Sequence, residues 1–167
     1  MTQGIITTQQ TRVYFAVNDS GGTIHKIACS TGVNVPGGTA TEINATCLDS
    51  TLMQFVRGLQ DLGSATVPFN TIHRSAAYQA LVDLNDSGVE VPWMIVFSDQ
   101  VGAPTDEDSD GMLVSPGPTS VRFWAYVSQL GFDVALDEIV RGTLTLRLSS
   151  RDGQEGLVWD LPTADLA

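Results

Sequence analysis

Residues 119–150 read TSVRFWAYVSQLGFDVALDEIVRGTLTLRLSS, two alternating runs joined by an acidic bend. In the first run Val121, Phe123, Ala125 and Val127 fall on one side. Arg122, Trp124, Tyr126 and Ser128 fall on the other. Leu144, Leu146 and Leu148 repeat the pattern in the second run. Side chains alternate faces along a strand, so a period of two predicts half-buried β-strands with one apolar face each.

The same reading extends outward. TRVYFAV (residues 11–17) places Val13, Phe15 and Val17 together, and TIHKIAC (23–29) and TATEINAT (39–46) are further strand candidates. In GSATVPFNTI (63–72), Ala65, Val67 and Phe69 share a side, and Pro68 predicts an edge or a bulge because it has no N–H to donate. VPWMIVF (91–97) is apolar at every position and predicts a strand covered on both faces. One helix stands out in RSAAYQALVDLNDSG (74–88). Ala77, Ala80, Leu81 and Leu84 recur at helical spacing, and Gly88 offers a left-handed cap. A single helix among seven or eight strands predicts a mainly β chain: two packed antiparallel sheets, sandwich-like or barrel-like, with one flanking helix. The 167 residues suit a single domain. Two stretches, about 47–61 and 99–118, read as long loops, which in compact domains tend to carry function. STGVNVPGGTA (30–40) reads as a Gly-rich hairpin tip, and the C-terminal VWDLPTADLA as an arm.

Composition narrows the function classes. The chain carries 19 acidic and 8 basic residues, a formal net charge of −11. Binding along a nucleic-acid backbone needs clustered Lys and Arg, so this chain meets DNA only as a repelling wall. The first residues show neither a basic n-region nor an apolar core, so no signal peptide is expected. No apolar run approaches the roughly 18 residues of a membrane helix, so no membrane contact is expected. Cys29 and Cys47 lack metal spacing and read as free thiols.

In APTDEDSDG (103–111), Asp106, Asp108, Asp110 and Gly111 match the first half of a helix-loop-helix calcium loop. The bidentate Glu that must follow falls on Gly117, and Pro104, Pro116 and Pro118 exclude the flanking helices. A solvated acidic loop is the plain reading, a looser cation site the alternative. Asp19 and Asp86 each begin an Asp-Ser-Gly triplet, as in a paired-carboxylate acid hydrolase, but a turn and a helix cap explain them. His25 and His73 have no partners at metal spacing. Trp124 and Tyr126, on a face with Arg122, suit an exposed interface or a sugar platform. Trp93 reads as core. No catalytic, metal or cofactor site is expected.

TATEINATCLDSTLMQFVRGLQDLG (39–63) resembles the major tail tube proteins of long, flexible-tailed (lambda-like) bacteriophages. The likeness rests on an Asp-Ser turn, then a loop, then Gly58-Leu59-Gln60-Asp61-Leu62-Gly63. The order continues through SATVPFN, the helix, VPWMIVFSD, and the bend in which Gly131, Val134, Glu138, Ile139, Leu144 and Leu146 lie. The resemblance covers roughly residues 39–150 and lacks the family's optional immunoglobulin-like C-terminal domain. It implies a non-enzymatic virion protein, assembled in the host bacterial cytoplasm into stacked hexameric rings. The resulting hollow tail tube would conduct DNA during ejection without binding it specifically. Implied partners are the tape-measure, tail-tip and terminator proteins. A tail terminator, or less closely a β-sandwich carbohydrate-binding module, is the alternative. Charge and strand position suggest Glu42, Asp133, Asp137 and Glu138 as lumen-lining residues. The apolar content of the 47–61 loop, including Met53, makes Leu52, Phe55, Val56 and Leu59 candidates for contact between rings or subunits. Packing of that loop on its own core is the other reading.

Overall fold

The computed structural model describes residues 9–17, 22–48, 51–71, 75–98, 102–108, 110–117, 119–136, 138–151 and 156–161. Nine strands and one helix follow in the order β1 (Arg12–Val17), β2 (Thr23–Lys26), β3 (Thr39–Asn44), β4 (Phe55–Asp61), β5 (Ser64–Asn70), α1 (Ala76–Ser87), β6 (Val91–Val96), β7 (Ser120–Asp133), β8 (Arg141–Ser149) and β9 (Leu157–Asp160). The fold is mainly β, with two antiparallel sheets and one flanking helix, as expected.

Seven strands form the larger sheet, ordered β2-β1-β6-β7-β8-β5, with β9 beside β7. The sheet curls until its ends meet. Ile27 donates its N–H to Val13 O on β1, and the chain then runs along the outer edge of β5. There Asn70 N donates to Cys29 O, Thr31 N to Pro68 O, and Asn34 and Thr66 exchange both bonds. The 30–40 segment is therefore no free hairpin tip, because its first part closes the barrel. Pro68 explains why that closure is bridged rather than laddered: it accepts from Thr31 but has no N–H to return.

Strand β7 is the spine. Its first half pairs with β6 and β9, its second with β8, and its register shifts between Val127 and Gln129. A bulge bends and twists a strand, which lets one 14-residue strand serve neighbours in two directions. Strand β9 takes in Val158, Trp159 and Asp160, so these residues form a sheet edge instead of a free arm.

The alternation read at residues 121–127 and 144–148 holds. Val121, Phe123, Ala125, Val127, Leu144, Leu146 and Leu148 are all buried in the barrel core with Val13, Phe15 and Trp93. Trp93 stacks on Phe15 at 5.0 Å, and its ring N–H donates to Ala125 O at 3.1 Å. Helix α1 adds Leu81 and Leu84 to this core. Ser75 caps its start by accepting from Tyr78 N, and Gly88 ends it at φ 64, a left-handed position that favours glycine.

Strand β6 is buried along its whole length. Its second face lies in a smaller cluster of Tyr14, Ala16, Met94, Val96 and Leu113. Leu113 belongs to the acidic 99–118 stretch, so the apolar half of that loop covers the outside of the barrel.

Candidate assembly surface

The acidic loop is a structural lid. The Asp108 carboxylate accepts from the N–H groups of Asp110 and Met112 at 3.0 and 2.9 Å, and Val114 N donates to Asp106 O. Arg122 then ties the lid to the sheet. Its guanidinium donates to both oxygens of Asp160 at 2.7 and 3.0 Å and to Leu113 O at 3.2 Å, and lies 3.7 Å from Asp108. Among the described residues no three His, Cys, Asp or Glu side chains gather as a metal would need.

The same lid corrects the reading of Trp124. Expected on a half-exposed face, it is 0% exposed. Gly111 packs over its ring, and the Arg151 guanidinium sits 4.8 Å from the ring centre. A buried indole offers no sugar platform, so the carbohydrate-binding reading loses its central residue. His25 is half-buried and stacks on Phe15 at 5.4 Å. Asp86 is exposed at the end of α1 and accepts from the Asn85 side chain. Asp19 and His73 lie outside the described residues. Cys29 and Cys47 are free and exposed.

What remains is a surface. The stretch read as a loop over 47–61 is half strand: β4 pairs with β3 as an antiparallel ribbon, Asn44 opposite Phe55 through Thr39 opposite Asp61. Among the described residues, neither β3 nor β4 packs extensively on any other element. The reading in which 47–61 folds back on the core is therefore overturned. Phe55 is 56% exposed and Leu59 88%, and Ile43, Leu52, Met53 and Val56 are exposed as well. The ribbon is apolar on both faces: Phe55 lies with Glu42 and Arg57 on one, Ile43 with Val56 on the other. Its register shifts between Ala40 and Glu42. There Gly58 passes so close to Thr41 that any side chain on it would strike the Thr41 hydroxyl and carbonyl.

The root is built to hold the arm. Asp61 accepts from Gly63 N at 2.9 Å and from the Arg147 guanidinium at 2.8 and 2.9 Å, and Leu148 N donates to Gly63 O. The Gly63 N–H, and then Arg147, hold the Asp61 carboxyl below its usual 3.8. A depressed carboxylate contributes stability above its unfolded pKa and loses it only as pH falls through the lower folded value. The root thus stays ionised and paired throughout the neutral range.

A second exposed apolar patch lies on the bend between β7 and β8: Phe132, Val134, Leu136 (92% exposed) and Ile139. Phe132 rests edge-on against Tyr78 of α1, with ring centres 6.0 Å apart. Asp133 and Glu138 are exposed on this bend, and Glu138 pairs with Arg141 at 3.6 Å. Asp137 lies outside the described residues.

The three described acidic lumen candidates do not form one cluster in a single copy. Glu42 is on the arm, whose root sits at the Arg147 end of β8. Asp133 and Glu138 sit at the Arg141 end. Strand rise puts about 20 Å between Arg141 and Arg147. Sequence reading named Phe55, Val56 and Leu59 but missed the bend as an apolar surface. The signal was there in the run Phe132-Asp-Val-Ala-Leu136, which puts three large apolar side chains in a segment too acidic and too short to be core.

Comparison with known proteins gives a consistent picture. A family model described as lambda-like phage tail tube matches residues 4–155. "Structural protein 3" of Pseudomonas phage PAJU2 is 27% identical over 149 residues, 87% of this chain and 90% of its own length. Among solved structures, the SPP1 tail tube superposes with a TM-score of 0.60 at 13% identity, covering 95% of this chain and 82% of that one. A chain of the native gene transfer agent virion superposes at 0.61 and 9% identity, covering 93% and 98%. At these identities the structural likeness speaks for the fold alone.

Proposed function

The chain belongs to the lambda-like phage tail tube family, and we propose that it builds its tube by stacking rings through the β3–β4 arm. It is a structural component of the phage tail. The observation that carries the stacking role is the arm itself. A two-stranded ribbon is marginal alone in water. This one leaves both outer edges without strand partners among the described residues and exposes large apolar side chains on both faces. Such a surface is stable only when covered, and in a tube the cover is another copy of the chain.

The rings are hexameric in this reading. A related gene transfer agent tail, described with C6 symmetry, superposes with a TM-score of 0.58 at 10% identity. The protein acts without catalysis and without a cofactor. Its other partners are the tape-measure protein inside the tube and the tail-tip and terminator proteins at its ends. Assembly takes place in the host cytoplasm. Negative-stain electron microscopy of the concentrated protein tests the reading. Hollow tubes with a regular axial repeat are expected. Isolated rings that never stack would replace it with a terminator role.

DNA passes through the lumen without being bound. A net charge of −11 repels phosphate, and acidic side chains facing the lumen keep the duplex off the wall. Glu42, Asp133, Asp137 and Glu138 are assigned this task. Of the described residues, Glu42 lies toward one end of β8, and Asp133 and Glu138 toward the other. Replacing Glu138 with lysine turns one of these repelling charges into an attracting one. The expected result is tubes of normal appearance whose particles eject DNA more slowly, most visibly at low salt where charges are least screened. Ejection at the wild-type rate in a time-resolved dye-uptake assay would sink the lumen assignment.

A further inference from the structure

We propose that the acceptor for the arm is the β7–β8 bend of a copy in the adjoining ring, with the Phe55–Arg57 face of the arm laid on Phe132, Val134, Leu136 and Ile139. The inference rests on the stacking role given above and names its second surface.

Three observations converge. The two exposed apolar patches are rooted at opposite ends of β8, the arm beside Arg147 and the bend beside Asp133 and Arg141. Among the described residues, β3 and β4 do not pack extensively on β7 or β8 within one copy. A head-to-tail contact between two different patches repeats from copy to copy, closing a ring or propagating along an axis, whereas a patch that pairs with itself closes after two copies. A tube needs the first kind, and patches at opposite ends supply it.

The patches also match in kind. Each presents large aliphatic side chains and one phenylalanine, and neither has a cover of its own. Phe132 is already oriented by Tyr78, so part of the acceptor is set before docking. Buried aromatic and aliphatic anchors are the groups that carry most of the energy in such contacts.

Charge fits as well. Arg57 shares the arm face with Phe55; among the described residues it has no ion pair, and its guanidinium bonds the neutral Gln60 side chain at 2.7 Å. Asp133 on the bend is exposed and has no ion pair among the described residues, while the nearby Glu138 and Arg141 satisfy each other. Docking the arm brings the free cation to the free carboxylate. This sets Asp133 at the rim where rings meet, together with Glu42, which stands opposite Arg57 on the docked face, and leaves Asp137 and Glu138 for the open wall.

The test is a crosslink in assembled protein. Chain carrying Phe55→p-benzoylphenylalanine is mixed with an excess of uniformly 15N-labelled wild-type chain, assembled, imaged and irradiated. The expected result is tubes in which the photoproduct joins light residue 55 to heavy peptides spanning 132–139. Tubes whose crosslinks fall elsewhere on the heavy chain, on its arm for example, overturn the acceptor and leave the stacking role standing. Absence of tubes and of any light-to-heavy crosslink removes both. A charge exchange gives a second readout. Arg57→Asp and Asp133→Arg each raise the concentration needed for assembly about tenfold, and the double variant recovers most of that loss. A double variant that assembles no better than either single one would leave the bend with no claim on the arm.

Discussion

Phe55→Asp yields a folded protein that forms no tubes. The barrel core makes no use of this side chain, which is 56% exposed on an arm whose strands, among the described residues, pack extensively on no other element. Circular dichroism and the thermal midpoint therefore stay at wild-type values. Assembly responds differently. In the stacked state the substitution places a carboxylate where an aromatic anchor was covered. It forfeits the apolar burial, and the charge must be desolvated or the contact left open. An interface anchor of this kind is worth roughly 2–4 kcal/mol, a factor of about 30 to 1,000 in each arm contact at 1.4 kcal/mol per decade. Ring stacking repeats that contact once per subunit, so the losses multiply and tubes vanish at any practical concentration. Sedimentation velocity and electron microscopy read the outcome. Normal tubes from the variant would refute the arm's role. A variant that fails to fold would instead show that the arm is part of the body, against its packing.

The reason this arm was only half legible in the sequence is physical. Alternation reveals a strand when one face is buried and the other wet. The core strands obeyed that rule, and β6 declared itself by being apolar throughout, as a strand covered on both sides must be. Helix α1 announced its C-terminal end through Gly88. Strand β4 has no buried face in a single copy. Its sequence, Phe-Val-Arg-Gly-Leu-Gln-Asp, mixes apolar and polar positions without a period and carries a glycine for a bulge. What the sequence did carry was the excess of apolar side chains in a segment with no place in the core, and that excess marks a surface awaiting a partner. Trp124 failed for a different reason. Its neighbours Arg122 and Tyr126 imply an outward face, which is correct. The cover comes from Arg151 and the acidic loop, and Arg122 itself is neutralised by Asp160, 38 residues away. Contacts at that separation leave no local pattern to read.

The acidic loop makes the other large prediction. Leu113→Ala lowers the thermal midpoint strongly while sparing assembly below it. Leu113 is fully buried in the cluster of Tyr14, Ala16, Met94 and Val96 on the outer face of the barrel. Truncating a buried leucine costs the lost transfer energy plus that of the cavity left behind, about 2–5 kcal/mol. At 167 residues, each kcal/mol moves the midpoint by roughly 2–4 °C, so a fall of about 4–20 °C is expected by scanning calorimetry. None of the cluster residues is on the arm or the bend, so tubes should still form at low temperature with unchanged appearance. The Asp-rich half of the loop sets how the lid closes. Asp108 bonds the turn and Arg122 clamps it, so the carboxylates that resemble a cation site serve to position one leucine. A midpoint within about 2 °C of wild type would mean that the loop contributes no cover, since even a well-relaxed leucine truncation costs more. A large fall accompanied by loss of tubes well below the new midpoint would instead bring the lid into the assembly surface, and would require the arm and the bend to share their work with it.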